Sequence, residues 1–240
     1  MLEILVAITA LIGFIAFCLS FGALVNKAPF SFFPIGFLWC LVIAGIIVAL
    51  ILHAYRKKTG YYERRQQRFV EEQGAVGERK VARYLKRRMK EGEALYNDIV
   101  IPNGNNNTAQ IDHIFVSVHG VFVIETKNYT GKIYGSENDN QWVECYHYGR
   151  EKFHFYNPVA QNATHVIAVK KLLRDTIDVP IVSVVIFVDG DISSVNADVY
   201  YLDNVKDLFN QYKDVNLSHD DIAEITDVLD AYKAITPKAN

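Results

Sequence analysis

Three residues set the chemical question. Asp112, Glu125 and Lys127 lie in two apolar, β-branched runs, 109–118 and 121–129, separated by His119-Gly120. Runs of this kind read as strands, and His-Gly between them reads as a two-residue hairpin turn, with glycine free to take positive φ. That turn pairs Val118 with Val121, Asp112 with Lys127, and Ile114 with Glu125. Side chains alternate faces, so both acids and the lysine share one face with Ile114, Val116, Val118, Val121 and Val123. Two carboxylates and an amine at the open end of an apolar surface make a pocket suited to a hard cation. Mg²⁺ fits, with Mn²⁺ able to substitute, because such ions take oxygen ligands and keep several waters. Asp112, Glu125 and the backbone carbonyl of Thr126 are the candidate ligands. An ion held there polarises a phosphodiester and lowers the pKa of a bound water. Lys127 would orient or deprotonate that water, or neutralise the charged phosphate. Neighbouring carboxylates oppose the pKa depression that a base needs, which favours neutralisation. The other reading of the same trio is a cross-strand salt-bridge cluster on an exposed face, worth little. The apolar company weighs against it.

Other elements must position this trio. Residues 71–90 read as a helix, with Val81, Ala82, Leu85 and Met89 on one stripe. Glu78 falls on that stripe too, and an acid facing a core is costly unless something pairs with it. Gly74 and Gly77 would let another element approach closely. Residues 103–107 are a polar turn; 131–134 and 141–148 read as further strands. Asn157-Pro158 opens a helix to about 174, asparagine as cap and proline in the first turn. Gln161 and His165 share one face of it. The apolar run 180–188, ending at Asp189-Gly190, reads as a buried strand. A short strand at 200–202 and helices at 205–212 and 218–234 follow, which makes a mixed α/β domain. His113 points away from the trio. Trp142, Tyr146, Tyr148 and Tyr156 would pack a core or stack on bases. Cys145 and His147 lack two further ligands for zinc. No phosphate-binding glycine loop, serine elbow or helical zinc motif occurs.

Asp112-x12-Glu125-x-Lys127 resembles the PD-(D/E)xK nuclease signature, with Ile111 where the proline would stand. The surroundings are similar to the nuclease-related domain (NERD) family. They comprise Gly77-Glu78, Gln110-Ile111-Asp112-His113, Ile124-Glu125-Thr126-Lys127-Asn128, Gly131, Trp142, and Asn157-Pro158 with Gln161. The resemblance spans roughly 71–189. It implies a restriction-endonuclease-like αβββαβ core, Glu78 as an additional acid and possible metal ligand, and Gln161 lining the site. Related exonucleases carry Gln-x3-Tyr on the later helix; here the fourth position is His165.

The chain's start is of another character. Residues 2–25 carry only Glu3 as a charge, and 35–55 carry none. Each is long enough, at about 20 residues, to cross a bilayer. The short linker 26–34 fits a transmembrane α-helical hairpin preceding the α/β core. Arg56, Lys57, Lys58, Arg64, Arg65 and Arg68 follow the second run, whereas the linker has only Lys27. Basic flanks stay inside, so a two-pass cell-membrane protein with both termini cytoplasmic is expected. Two cysteines lie in the apolar runs and Cys145 is alone in the remainder, which excludes a disulfide framework. The stretch 55–95 has 13 Lys/Arg against 6 Asp/Glu, whereas 96–240 has 11 against 20. The basic stretch suits anionic lipid headgroups or nucleic acid. The expected organisation is an anchor at 1–55, a basic linker at 56–70, the nuclease-like domain at 71–190 and a strand/helix extension at 191–240. The expected function is a Mg²⁺-dependent nuclease acting on DNA; the alternative is a non-catalytic, membrane-tethered nucleic-acid-binding or scaffold module.

Overall fold

The computed structural model describes residues 33–58, 60–104, 107–174, 176 and 178–233, and the chain divides into two compact units, 1–69 and 70–240. In the first unit, helix α1 (Phe33–Lys58) takes up the second apolar run. The first run, and with it the expected hairpin, lies outside the described residues. Among the described residues no helix is long and apolar enough to cross a membrane. A second helix, α2 (Tyr61–Lys86), runs through the stretch expected as a linker, and the boundary between the units falls within it.

The second unit is a mixed α/β fold with two sheets. The larger has the order β1-β2-β3-β7-β9: β1 (Ala94–Gly104), β2 (Asn107–Ser117), β3 (Gly120–Lys127), β7 (Ile181–Phe187) and β9 (Tyr200–Tyr201). The first three are antiparallel, and β3–β7 and β7–β9 are parallel. Helix α3 (Pro158–Leu173) lies on the path from β3 to β7 and packs against both strands. That sheet has the order β6-β5-β4-β8: β4 (Lys132–Ser136), β5 (Gln141–Tyr146), β6 (Glu151–Tyr156) and β8 (Asp191–Asn196). Helices α4 (Val205–Gln211) and α5 (His219–Lys233) complete the chain.

Strand β3, Gly-Val-Phe-Val-Ile-Glu-Thr-Lys, is buried on both faces, as its nearly unbroken apolar run requires. One face packs Ile114, Val116, Val121 and Val123 under α3 (Val166, Val169, Leu173) and α5 (Ile222, Ile225, Leu229). The other packs Phe115, Phe122 and Ile124 under α2 (Val81, Leu85) and α4 (Val205, Leu208). Met89, expected on the α2 stripe, lies past the helix end and is exposed. Trp142 is fully buried, stacked on Phe187 with its indole N–H donating to the Ser136 carbonyl, so it packs a core.

The hairpin register differs from expectation by two residues. Ser117 pairs with Gly120 and His113 with Ile124, so the loop is Val118-His119 and glycine closes the ladder at φ +128°. The His119 N–H donates to Ser117 Oγ and its ring bonds the Val215 carbonyl, which makes histidine a loop residue. An even slip leaves every side chain on its expected face. It also brings Asp112 opposite Glu125 rather than Lys127.

Candidate active site

The site forms where β2 and β3 part. Their last ladder pair is His113–Ile124; beyond it the Thr126 N–H donates to Asp112 Oδ2 at 2.7 Å. A side chain thus takes over where the backbone ladder ends, and Asp112 is fixed beside Glu125. Lys127 Nζ donates to Glu125 Oε1 at 2.7 Å and to Gln161 Oε1 at 3.1 Å. Glu125, Lys127 and Gln161 are thus joined by hydrogen bonds, with Asp112 on the neighbouring strand beside them. Glu125 is 2% exposed.

Two close approaches hold the flanking helices in place. On α2, a Cβ added at Gly77 would stand 2.6 Å from the Asn128 Cβ, so only glycine lets the helix sit against the end of β3. Asn128 Nδ2 donates to the Gln73 carbonyl at 2.7 Å across the same contact. This brings Glu78, half-buried, into the field of the other acids. On α3, Asn157 caps the helix through Val159 N and Ala160 N while its Nδ2 donates to the carbonyls of Glu137 and Asp139. One turn later the fully buried Asn162 donates to the carbonyls of Val123 and Val184 and to Ser183 Oγ. Its bonds to β3 and β7 set the helix phase, and so aim Gln161 and His165 at Glu125.

The electrostatics are lopsided. Burial, then the charge of Glu125, pushes the Asp112 carboxyl up to about 7. Burial also raises Glu125, against the pull of Lys127 and with a further push from Glu78. Glu78 is raised by burial, then by Asp112 and Asp98. Asp98 is an acid the sequence reading missed. It sits at φ +50° between the pairs Asn97–His113 and Ile99–Ile111, across from Asp112, and accepts from Gln110 Nε2 at 2.6 Å. Four acids thus stand against Lys127 and, beside Glu78, Arg79, an excess of negative charge that a bound cation would relieve.

Asp112 and Glu125, with the Thr126 carbonyl, are the residues that could hold such an ion. Glu125 Oε2 is buried without a hydrogen-bond partner, a free donor atom of the right kind. Among the described residues no group of three or more His, Cys, Asp or Glu is gathered closely enough to hold a metal unaided. Mg²⁺ commonly binds through one or two carboxylates and keeps its waters, so two acids and a carbonyl suffice. Glu78 contributes field rather than a gathered ligand. His165, which stands where the tyrosine of the Gln-x3-Tyr pattern would, has its Nδ1 3.5 Å from Glu125 Oε2, and burial, then Lys127, lowers its pKa. His113 points elsewhere, as expected; its Nδ1 bonds Asn97 Oδ1 at 2.8 Å and burial lowers it to about 4. Glu144, buried on β5, accepts from Thr130 N and Gly131 N and from the Tyr146 hydroxyl, which fixes the chain as it leaves β3.

Fold and site together define a mixed α/β domain with an acid–lysine centre on its central strands. The family model for the nuclease-related domain, NERD, matches residues 73–188. The uncharacterized protein pXO1-01 of Bacillus anthracis is 32% identical over 158 residues, covering 63% of this chain and 73% of that protein. The chain belongs to the NERD family. A solved structure of a protein of unknown function, AF1548, overlaps 66% of this chain and 96% of its own at 10% identity and a TM-score of 0.30.

Proposed function

We propose that this protein is a membrane-anchored, Mg²⁺-dependent nuclease that hydrolyses phosphodiester bonds in DNA. One observation carries the reading: Asp112, Glu125 and Lys127 meet where β2 and β3 part, in an environment that penalises their negative charge. Membership of the NERD family supports nucleic acid as the substrate class. Mg²⁺ bound there would supply Lewis-acid polarisation of the phosphodiester and an activated water. The protein's own contributions follow from its contacts. Asp112, with Oδ2 held by Thr126 N–H, keeps one carboxylate oxygen available for the ion. Glu125 offers Oε2 while its Oε1 holds Lys127. Lys127 presents an ammonium to the phosphate and stabilises the charge that grows on it. Gln161 positions that ammonium.

The anchor is the second part of the proposal. Val42, Ile46, Val48, Leu50 and Leu52 of α1 are all exposed. A helix apolar all round needs an apolar surrounding. The apolar composition of residues 2–25 would suit a further span, and the basic flank at 56–68 would favour both termini in the cytoplasm against anionic headgroups. A reporter fused to the C-terminus should be active only in its cytoplasmic form; activity of a form that works only outside would refute this topology.

Nuclease activity is tested with the full-length chain in mild detergent. Single-stranded, double-stranded and branched DNA, and RNA, are incubated with Mg²⁺ and wild type or Lys127→Ala. Wild type should cleave DNA, and the variant should be slower by about 10²–10³-fold. DNA binding without cleavage would replace the nuclease with the binding-module alternative. Equal cleavage by both would remove the site from the reaction.

A further inference from the structure

The two faces of the second sheet differ in what they meet. One carries Ile133, Trp142 and Phe155, packed on Val185 and Phe187. The opposite face, by strand alternation, begins with the row Lys132–Cys145–Lys152. The next row is Tyr134–Val143–His154, and Tyr156 follows His154 along β6. Tyr134 is 43% exposed and Tyr156 54%, and Lys152 and His154 are exposed beside them. The core side of the sheet is already filled, so these rings are not packing groups. Large rings gathered on one open face mark an interaction surface.

An unpaired nucleic-acid strand fits this face. Rings accept stacked bases and ammonium groups accept phosphates, and here a row of ammonium groups adjoins a row of rings. Lys132 Nζ stands 5.7 Å from the Tyr134 ring centroid, so a charge and a ring lie within reach of one nucleotide. His154 and Tyr156, two residues apart on one strand, are separated by about 6.6 Å. That is about twice the 3.4 Å rise per nucleotide of a duplex strand, so neighbouring bases meet neighbouring rings only when unstacked. The acids of these strands, Glu144 and Glu151, fall on the other face by parity. Asp191 on β8 pairs with Lys132 at 3.5 Å, but both are exposed, and such a pair is weak enough for a phosphate to displace. Residues 128–131 alone join Lys127 of the acid–lysine centre to Lys132 of this face, a span of at most about 18 Å.

We propose that this face of the second sheet is a platform for single-stranded DNA, with Tyr134, His154 and Tyr156 stacking bases and Lys132 and Lys152 holding phosphates. It selects unpaired strands over duplex and keeps them close to the acid–lysine centre. This inference rests on nucleic acid as the substrate class, as read above, and narrows its form to the single strand.

The probe is a fluorescently labelled oligothymidylate, with its duplex with oligoadenylate for comparison. Binding to the full-length chain in mild detergent is followed by anisotropy, with divalent ions chelated so that cleavage does not intervene. Wild type should bind the single strand more tightly than the duplex. Tyr134→Ala and Tyr156→Ala should each weaken that binding by about five- to tenfold. Tyr156→Phe, which keeps the ring, should match wild type and so separates stacking from a folding defect. Lys152→Ala should lower the slope of log affinity against log salt by about 0.7. Equal binding by wild type and both alanine variants, or duplex held as tightly as the single strand, would overturn the platform. Mg²⁺-dependent cleavage by the same wild type would then leave the nuclease reading standing. Binding lost in the alanine variants of a chain that cleaves no DNA would support the platform and remove the nuclease.

Discussion

Asp112→Asn should stabilise the metal-free protein at pH 8. The variant keeps an oxygen in place to accept the Thr126 N–H, so the 2.7 Å bond that anchors the strand end survives. What it removes is a buried charge. The Asp112 carboxyl is moved from 3.8 to about 7, mainly by burial and then by Glu125. A folded-state pKa above the unfolded value means that the native chain binds more protons between those limits. Stability is therefore full below about 4, falls as pH rises toward about 7, and is flat beyond. The whole displacement corresponds to about 4 kcal/mol at pH 8. Relaxation and water entry would reduce this, and about 2 kcal/mol is the expected gain, or roughly 4–8 °C in Tm for a chain of this size. The assay is thermal unfolding of the full-length chain at pH 5 and pH 8, with and without Mg²⁺. Wild type should lose stability from pH 5 to pH 8 and recover it with Mg²⁺. The variant should lose less stability than wild type between pH 5 and pH 8, the remainder coming from Glu125 and Glu78, which burial also raises, and should not respond to the ion. A wild type as stable at pH 8 as at pH 5, together with a destabilised variant, would refute the picture of a charge waiting for its counter-ion.

Substitutions at four further positions probe the supports of the site. Gly77→Ala should cost about 1–3 kcal/mol, because its Cβ would meet the Asn128 Cβ at 2.6 Å. Gly74→Ala has nothing nearer than Glu78 Oε1 at 4.0 Å and should stabilise α2 by up to about 1 kcal/mol; chemical denaturation separates the pair. Asn162→Ala removes the donor from two sheet carbonyls and Ser183 and should cost about 2–3 kcal/mol by the same measurement. Glu144→Ala strands the N–H groups of Thr130 and Gly131 and should cost about 2 kcal/mol, with Glu144→Gln recovering part because an acceptor remains.

The trio Asp112, Glu125 and Lys127 was legible because side-chain parity is robust. The turn was misplaced onto His119-Gly120, yet a two-residue slip cannot move a side chain across a sheet. The same reading could not foresee the direct Asp112–Glu125 opposition, because that depends on where the ladder starts. Strand β1, 94–104, escaped notice since Asn97, Asp98 and Pro102 interrupt its alternation, and with it went Asp98. Strand β6 is mostly exposed, so it carries no hydrophobic period to read. Strand β8 is likewise polar. Helix α3 was visible from Asn157-Pro158, whereas the importance of Asn162 was not. An asparagine in mid-helix is chemically mute until a sheet carbonyl is placed against it. Gly77 announced a close approach, and Asn128 proved to be the group approached.

The cation-binding claim is met most directly by calorimetric titration of Mg²⁺, then Mn²⁺, into full-length wild type and Asp112→Ala at pH 8, where the Asp112 carboxyl is ionised. Saturable uptake by wild type, abolished in the variant, is the predicted result. Equal uptake by both would contradict it, since the ion would then sit somewhere other than between the parted ends of β2 and β3.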